Sequence, residues 1–176
     1  MKQSEADEAA GVEGLVAIPK ESCSDPSLLK QAIVDNVSWQ MSLNRKTSGL
    51  KTLQGHMWRR AYESGEIKGF LYDDVVPNIQ KWHDGGVPVY IYSSGSVEAQ
   101  KLIFGYSVKG DVTPLLSGYF DTAIGHKREA SSYVNIANKI EKDPSDVLFL
   151  TDVYEEAEAA CKAGMGTCRF LVVSHP

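Results

Sequence analysis

The chain is poor in cysteine. Three occur in 176 residues (Cys23, Cys161, Cys168), an odd number with no Cys-x-x-Cys spacing. That pattern excludes a disulfide frame or a cysteine zinc site and fits a reducing compartment. Long apolar runs are also lacking. The longest, such as 87–92, reach about six residues, against the ~20 that a membrane-spanning helix needs. Runs of one charge are missing as well. Lys and Arg total 18 against 23 Asp and Glu, a net −5, with no basic cluster for nucleic acid or an acidic membrane. The start, Met1-Lys2-Gln3-Ser4-Glu5-Ala6-Asp7, has no apolar centre and does not read as a secretory leader. Gly (15) and Pro (7) are too few for a low-complexity chain, and no internal repeat is visible.

What remains is globular material, 43% apolar and 23% charged, enough for one domain or one domain plus a small lobe. Residues 1–24 read as a lead-in loop. Asp25-Pro26 is a helix start, an N-cap followed by proline at the first helical position. Leu29, Ile33, Val37 and Met41 then recur every four residues and mark a buried face. Leu50, Leu53, Met57 and Ala61 carry a second amphipathic helix, closed by Gly65. After Gly69 the pattern changes. Asp74 opens a short helix with Val76, Ile79 and Trp82 inward. Strands are expected at 87–92, 119–121, 147–150 and 167–173, with helices at 97–104, 129–140 and 155–163. Apolar runs without period-two alternation, interleaved with helices, indicate a parallel sheet covered on both faces.

Ligands of such sheets sit beyond the carboxyl ends of the strands. Ser93-Ser94-Gly95 lies at one such end and opens a helix. Two hydroxyls and a helix N-terminus suit an anion, although ordinary turn chemistry explains the same residues. Lys127 precedes a helix, where its charge opposes the macrodipole; a solvated surface lysine is the plainer account. Asp152 ends a strand, and Glu156 stands four residues on. One or two carboxylates suffice for magnesium, yet Asp152 also reads as an N-cap.

In this order, with the blocks Leu53-Gln54-Gly55-His56-Met57-Trp58, Tyr90-Ile91-Tyr92-Ser93-Ser94-Gly95-Ser96-Val97-Glu98-Ala99-Gln100-Lys101-Leu102, Gly118-Tyr119-Phe120-Asp121-Thr122, Gly125-His126-Lys127 with Glu129 and Ser132-Tyr133, and Phe149-Leu150-Thr151-Asp152-Val153, the chain resembles the haloacid dehalogenase superfamily. Within it, the chain is similar to the enolase-phosphatases of methionine salvage, over residues 25–173. The resemblance implies an α/β, Rossmann-like parallel sheet with a helical cap. It implies a lead-in at 1–24, a cap at 25–68 and a phosphatase core at 69–176. It implies enolisation and dephosphorylation of 2,3-diketo-5-methylthiopentyl-1-phosphate to an acireductone. Ser93, Ser94 and Lys127 match the phosphate-binding residues, and Asp152 and Glu156 match the magnesium carboxylates. The small phosphorylated diketone is then the partner, without nucleic acid or membrane. A monomer in the cytoplasm, with the nucleus as a second location, is expected.

One departure stands out. The family opens with an apolar strand ending in Asp-x-Glu-Gly-Thr, whose first Asp accepts the phosphoryl group. No Asp-x-[Asp/Glu] occurs anywhere in the 176 residues. The expectation is an N-terminally truncated relative without its central first strand and without a catalytic nucleophile, inactive as it stands. The alternative is a non-catalytic chain that binds phosphorylated metabolites or a partner.

Overall fold

The computed structural model describes residues 2–19, 24–45 and 47–169. Two compact units divide between Ala61 and Tyr62.

The first unit is helical: α1 (Lys2–Ala9), α2 (Pro26–Ser42) and α3 (Ser48–Glu63), the last running just past the division. The α2 start follows expectation. Asp25 accepts from the N–H groups of Ser27 (2.8 Å) and Leu28 (3.3 Å), with Pro26 in the first turn. The lead-in is not all loop, because residues 2–9 form α1. Charge and hydrogen bonding tie it down, not apolar burial. Arg45 donates to both Asp7 oxygens at 2.8 Å, and the Ile18 N–H donates to Ser4 Oγ at 2.9 Å. Ser4 and Asp7 are both buried. The guanidinium of Arg45 holds the Asp7 carboxyl below the usual carboxylate range. The buried face of α2 also differs from expectation. Leu29, Ile33 and Val37 are half-buried and Met41 is exposed, while Asn36 and Gln40 are buried. Burial is tolerated because these amides are satisfied. Asn36 donates to the Val16 carbonyl (2.6 Å), Gln40 donates to Asn36 (2.7 Å), and Thr47 donates to Gln40 (2.6 Å).

The second unit alternates helix and strand: α4 (Val75–Asp84), β1 (Tyr90–Tyr92), α5 (Val97–Gly105), β2 (Gly118–Phe120), α6 (Ala130–Lys139), β3 (Leu148–Thr151), α7 (Tyr154–Lys162) and β4 (Gly166–Arg169). Ile79 of α4 is buried and Val76 and Trp82 half-buried, as the periodicity required. Asp74 occupies the N-cap position of α4 without a side-chain cap bond. β1 keeps only the last three residues of the apolar run. The expected strand 167–173 is seen as Gly166–Arg169, and its remainder lies outside the described residues. No helix among the described residues is long and apolar enough to cross a membrane.

The strands pair in parallel, but as two separate ladders, β1 with β2 and β3 with β4. The Ser93 N–H donates to the Phe120 carbonyl and the Ser117 N–H to the Val89 carbonyl. Residues 89, 91 and 93 therefore turn their backbone groups to β2, and Tyr90 and Tyr92 turn theirs to the opposite edge. In the same way the Gly166 N–H donates to Val147 O, so 147, 149 and 151 face β4 and Leu148 and Leu150 face away from it. Helix α6 touches both ladders through one residue. Its fully buried Tyr133 meets Tyr92 of β1 and Phe149 of β3 edge-on, at centroid distances of 5.7 and 4.9 Å. Around it Ala137, Ala159, Ala160 and Met165 form the core. Apart from Thr151, the residues of β1, β2 and β3 are half-buried or exposed, with Leu148 60% exposed. A parallel strand covered on all sides would be buried.

Candidate active site at the strand ends

The segment after β1 is fixed from several sides. Ser93 Oγ accepts from the Gly95 N–H (3.1 Å), and Ser96 Oγ accepts from the Ala99 N–H, capping α5. Gln100, buried in α5, donates to the carbonyls of Gly95 and Phe120, each at 2.8 Å, so one amide nitrogen staples the serine loop to the end of β2. Its Oε1 is buried without a hydrogen-bond partner. Asp121 accepts from Val97 N–H through one oxygen (3.3 Å) and from Ala123 N–H through the other (2.9 Å). A carboxylate of the chain itself thus sits at the N-terminus of α5, where the sequence suggested room for an anion. Ser94 is exposed.

Lys127 lies on the loop between β2 and α6. Three consecutive carbonyls of that loop each accept one hydroxyl: Gly125 from Tyr92 (2.9 Å), His126 from Ser132 (2.8 Å) and Lys127 from Tyr133 (2.6 Å). Gly125 has φ +140°, and a Cβ there would lie 2.1 Å from Ser132 Oγ, so the position demands glycine. Burial pushes the Tyr92 phenol up, and it pushes the Tyr133 phenol up further, with a smaller contribution from Glu156. The Lys127 ammonium reaches Glu156 Oε2 at 2.7 Å and stands 5.7 Å from the centre of the Tyr92 ring. Thr151 donates to the same Glu156 oxygen at 2.9 Å. Because Lys127 follows β2 and Glu156 follows β3, their contact puts the carboxyl ends of both ladders on one side.

Of the residues singled out in the sequence, Lys127 and Glu156 are joined directly, and Ser93 is one residue from the Tyr92 ring beside them. Asp152 follows β3 and is exposed. Glu156 spends one oxygen on a lysine and a threonine. Among the described residues no three metal-ligating side chains converge. Magnesium takes near-octahedral oxygen coordination, and Asp152 with an already engaged Glu156 does not fit it. Gln100, Tyr92, Tyr133 and Thr151 escaped the reading by residue type, which looks for charged and nucleophilic groups. Their positions inside the quoted blocks were the one available signal.

No family profile matches the chain. Among solved structures it superposes on the Saccharomyces cerevisiae Unknown transcript 4 protein with TM-score 0.70 and 37% identity, covering 81% of this chain and 64% of that one. A haloacid dehalogenase-family enzyme of Bacteroides thetaiotaomicron, solved with magnesium and inorganic phosphate, gives TM-score 0.55 at 13% identity, covering 82% of this chain and 71% of that one, a likeness of fold alone. The architecture is therefore the α/β, parallel-sheet fold of the haloacid dehalogenase type with a helical cap. By sequence, 164 residues (93% of the chain) are 56% identical to an enolase-phosphatase of Xenopus tropicalis and 52% identical to one of Anopheles gambiae. The chain is a close homologue of the enolase-phosphatases over this span. It covers 63% and 55% of the lengths of those two relatives.

Proposed function

We propose that the chain carries the phosphate-holding part of an enolase-phosphatase site and does not by itself turn over substrate. Ser93, Ser94 and Lys127 hold the phosphate of 2,3-diketo-5-methylthiopentyl-1-phosphate, the diketone that the intact enzyme enolises and dephosphorylates to an acireductone in methionine salvage. Residues 25–68 are the remnant of a helical cap and 69–176 an incomplete phosphatase core, in a cytoplasmic monomer with the nucleus as a second location. The observation that carries this reading is the pinned Lys127 loop at the carboxyl ends of the ladders, beside the serine turn after β1. The homology supplies the substrate class.

Phosphoryl transfer through a covalent intermediate needs a carboxylate free to attack. At these strand ends, Asp121 is engaged by Val97 and Ala123, Glu156 by Lys127 and Thr151, and Asp152 lies exposed. The residues present orient and neutralise a phosphate and leave it unattacked. Titration calorimetry with vanadate, paired with phosphate release from the diketone substrate in magnesium buffer, tests both halves. Hydrogen bonds to charged groups are worth ~1.5–3 kcal/mol, so Lys127→Met weakens vanadate binding by about one to two decades. Phosphate release stays at buffer background. Unchanged vanadate affinity refutes the binding assignment, and sustained release refutes the inactivity.

A further inference from the structure

We propose that Gln100 is a positioning residue for phosphate: its side-chain amide holds the Ser93-Ser94-Gly95 turn in the arrangement that receives the anion before the anion arrives. The inference rests on the assignment of Ser93 and Ser94 to phosphate and names what makes those serines competent. Gln100 of α5 is 3% exposed, and its Nε2 donates to the Gly95 and Phe120 carbonyls at 2.8 Å each. The Phe120 carbonyl also accepts the Ser93 N–H at 3.1 Å. One carbonyl at the end of β2 thus grips the first residue of the turn directly and the last through Gln100. Ser93 Oγ closes the turn from inside by accepting the Gly95 N–H. That bond uses a lone pair and leaves the Ser93 hydroxyl proton to donate to an anion. Between these fixed points stands Ser94, exposed, its hydroxyl bonded to no described residue.

Stability alone does not select glutamine at this place. The Phe120 carbonyl is already satisfied by the Ser93 N–H, and Gln100 Oε1 is buried with no hydrogen-bond partner. A buried acceptor without a donor disfavours folding, and a methionine of similar length would bring no amide oxygen. What the amide supplies is two donor hydrogens on one nitrogen, which join the serine turn to the neighbouring strand. A loop that orders only on binding loses affinity to that ordering, and one held beforehand does not. A turn left in the receptive arrangement about a tenth of the time would bind about tenfold more weakly.

The test is calorimetric titration of the full chain with vanadate, at a temperature where circular dichroism shows each variant folded. Gln100→Met keeps the side-chain length and removes both bonds. Gln100→Asn keeps an amide but is one methylene too short to make them. Each should raise the vanadate dissociation constant about tenfold or more. Ser94→Ala supplies the readout that a role in the fold alone would not move. In its background the factor caused by Gln100→Met should shrink at least about threefold, because the turn has lost a hydroxyl that Gln100 holds in place. Dissociation constants within about twofold of the parent for both variants overturn the proposal. So does an unchanged factor in the Ser94→Ala background. Unfolding of both variants overturns it as well, by assigning Gln100 to the fold. A parent chain that binds no vanadate sinks the phosphate assignment and this role with it. A parent whose binding is weakened by Ser94→Ala and Lys127→Met but not by either Gln100 variant keeps that assignment and loses only the role of Gln100.

Discussion

Replacing Tyr133 by phenylalanine isolates one bond in the loop that carries Lys127. The ring is fully buried and keeps its edge-on contacts with Tyr92 and Phe149, so packing is preserved. What goes is the 2.6 Å hydrogen bond to the Lys127 carbonyl. A buried polar group deprived of its partner costs about 1–3 kcal/mol. Taking about 2 kcal/mol, and about 4 °C per kcal/mol for a unit of this size, the midpoint falls roughly 8 °C. Urea unfolding followed by circular dichroism gives the free energy directly. Tyr92→Phe removes the neighbouring bond to Gly125, so the double variant reports whether the loop acts as one object. Hydroxyls serving two carbonyls of the same three-residue stretch should couple by ~0.5 kcal/mol or more. The reasoning fails if Tyr133→Phe lies within 0.5 kcal/mol of the parent, about the effect of an ordinary surface change, or if the two substitutions simply add.

Three other outcomes follow from the structure. The Asp7 carboxyl is held below its ordinary pKa by Arg45, so the pair stabilises α1 above pH ~4 and the contribution is lost as pH falls through the lowered value. Amide exchange of α1 should therefore quicken on acidification, and Asp7→Asn should quicken it already at neutral pH while flattening the acid limb; an unchanged acid limb in the variant would show that the pair carries nothing. Gly125→Ala places a methyl 2.1 Å from Ser132 Oγ at φ +140° and should leave the chain largely insoluble, which expression and fractionation will show, whereas a soluble variant with the parent's melting curve contradicts the close approach. Calorimetric titration with magnesium should give no stoichiometric binding at millimolar metal, and EDTA should leave the melting midpoint in place; a dissociation constant well below millimolar would mean that Asp152 and Glu156 find ligands the geometry does not offer.

The alternation of helices with short apolar runs in the second unit was legible because it rests on periodicity and turn residues, and Asp25-Pro26 announced α2 by capping chemistry alone. The buried stripe of α2 was not. Asn36 and Gln40 are amides that apolar periodicity does not pick out, and the distant Val16 carbonyl and Thr47 hydroxyl make their burial tolerable. The helix at Lys2–Ala9 was hidden for the same reason, since its anchor, Arg45, lies 38 residues on. At the strand ends, position pointed to Ser93, Ser94, Lys127, Asp152 and Glu156 as separate pieces of chemistry. That Glu156 turns toward Lys127, and that Asp121 reaches the head of α5, are relations between loops that no local pattern encodes.

The 2.7 Å contact between Lys127 and Glu156 also bears on how quickly an anion finds the strand ends. A lone lysine would project its field into solvent and draw a phosphate from several ångströms away. Here the positive charge is cancelled at its source, in a pair whose side chains are only 22% and 12% exposed. Added salt then has little field left to screen. In the proposed phosphate role the lysine then adds little steering of its own, and its attraction is felt only after the incoming oxygens have displaced the glutamate at contact distance.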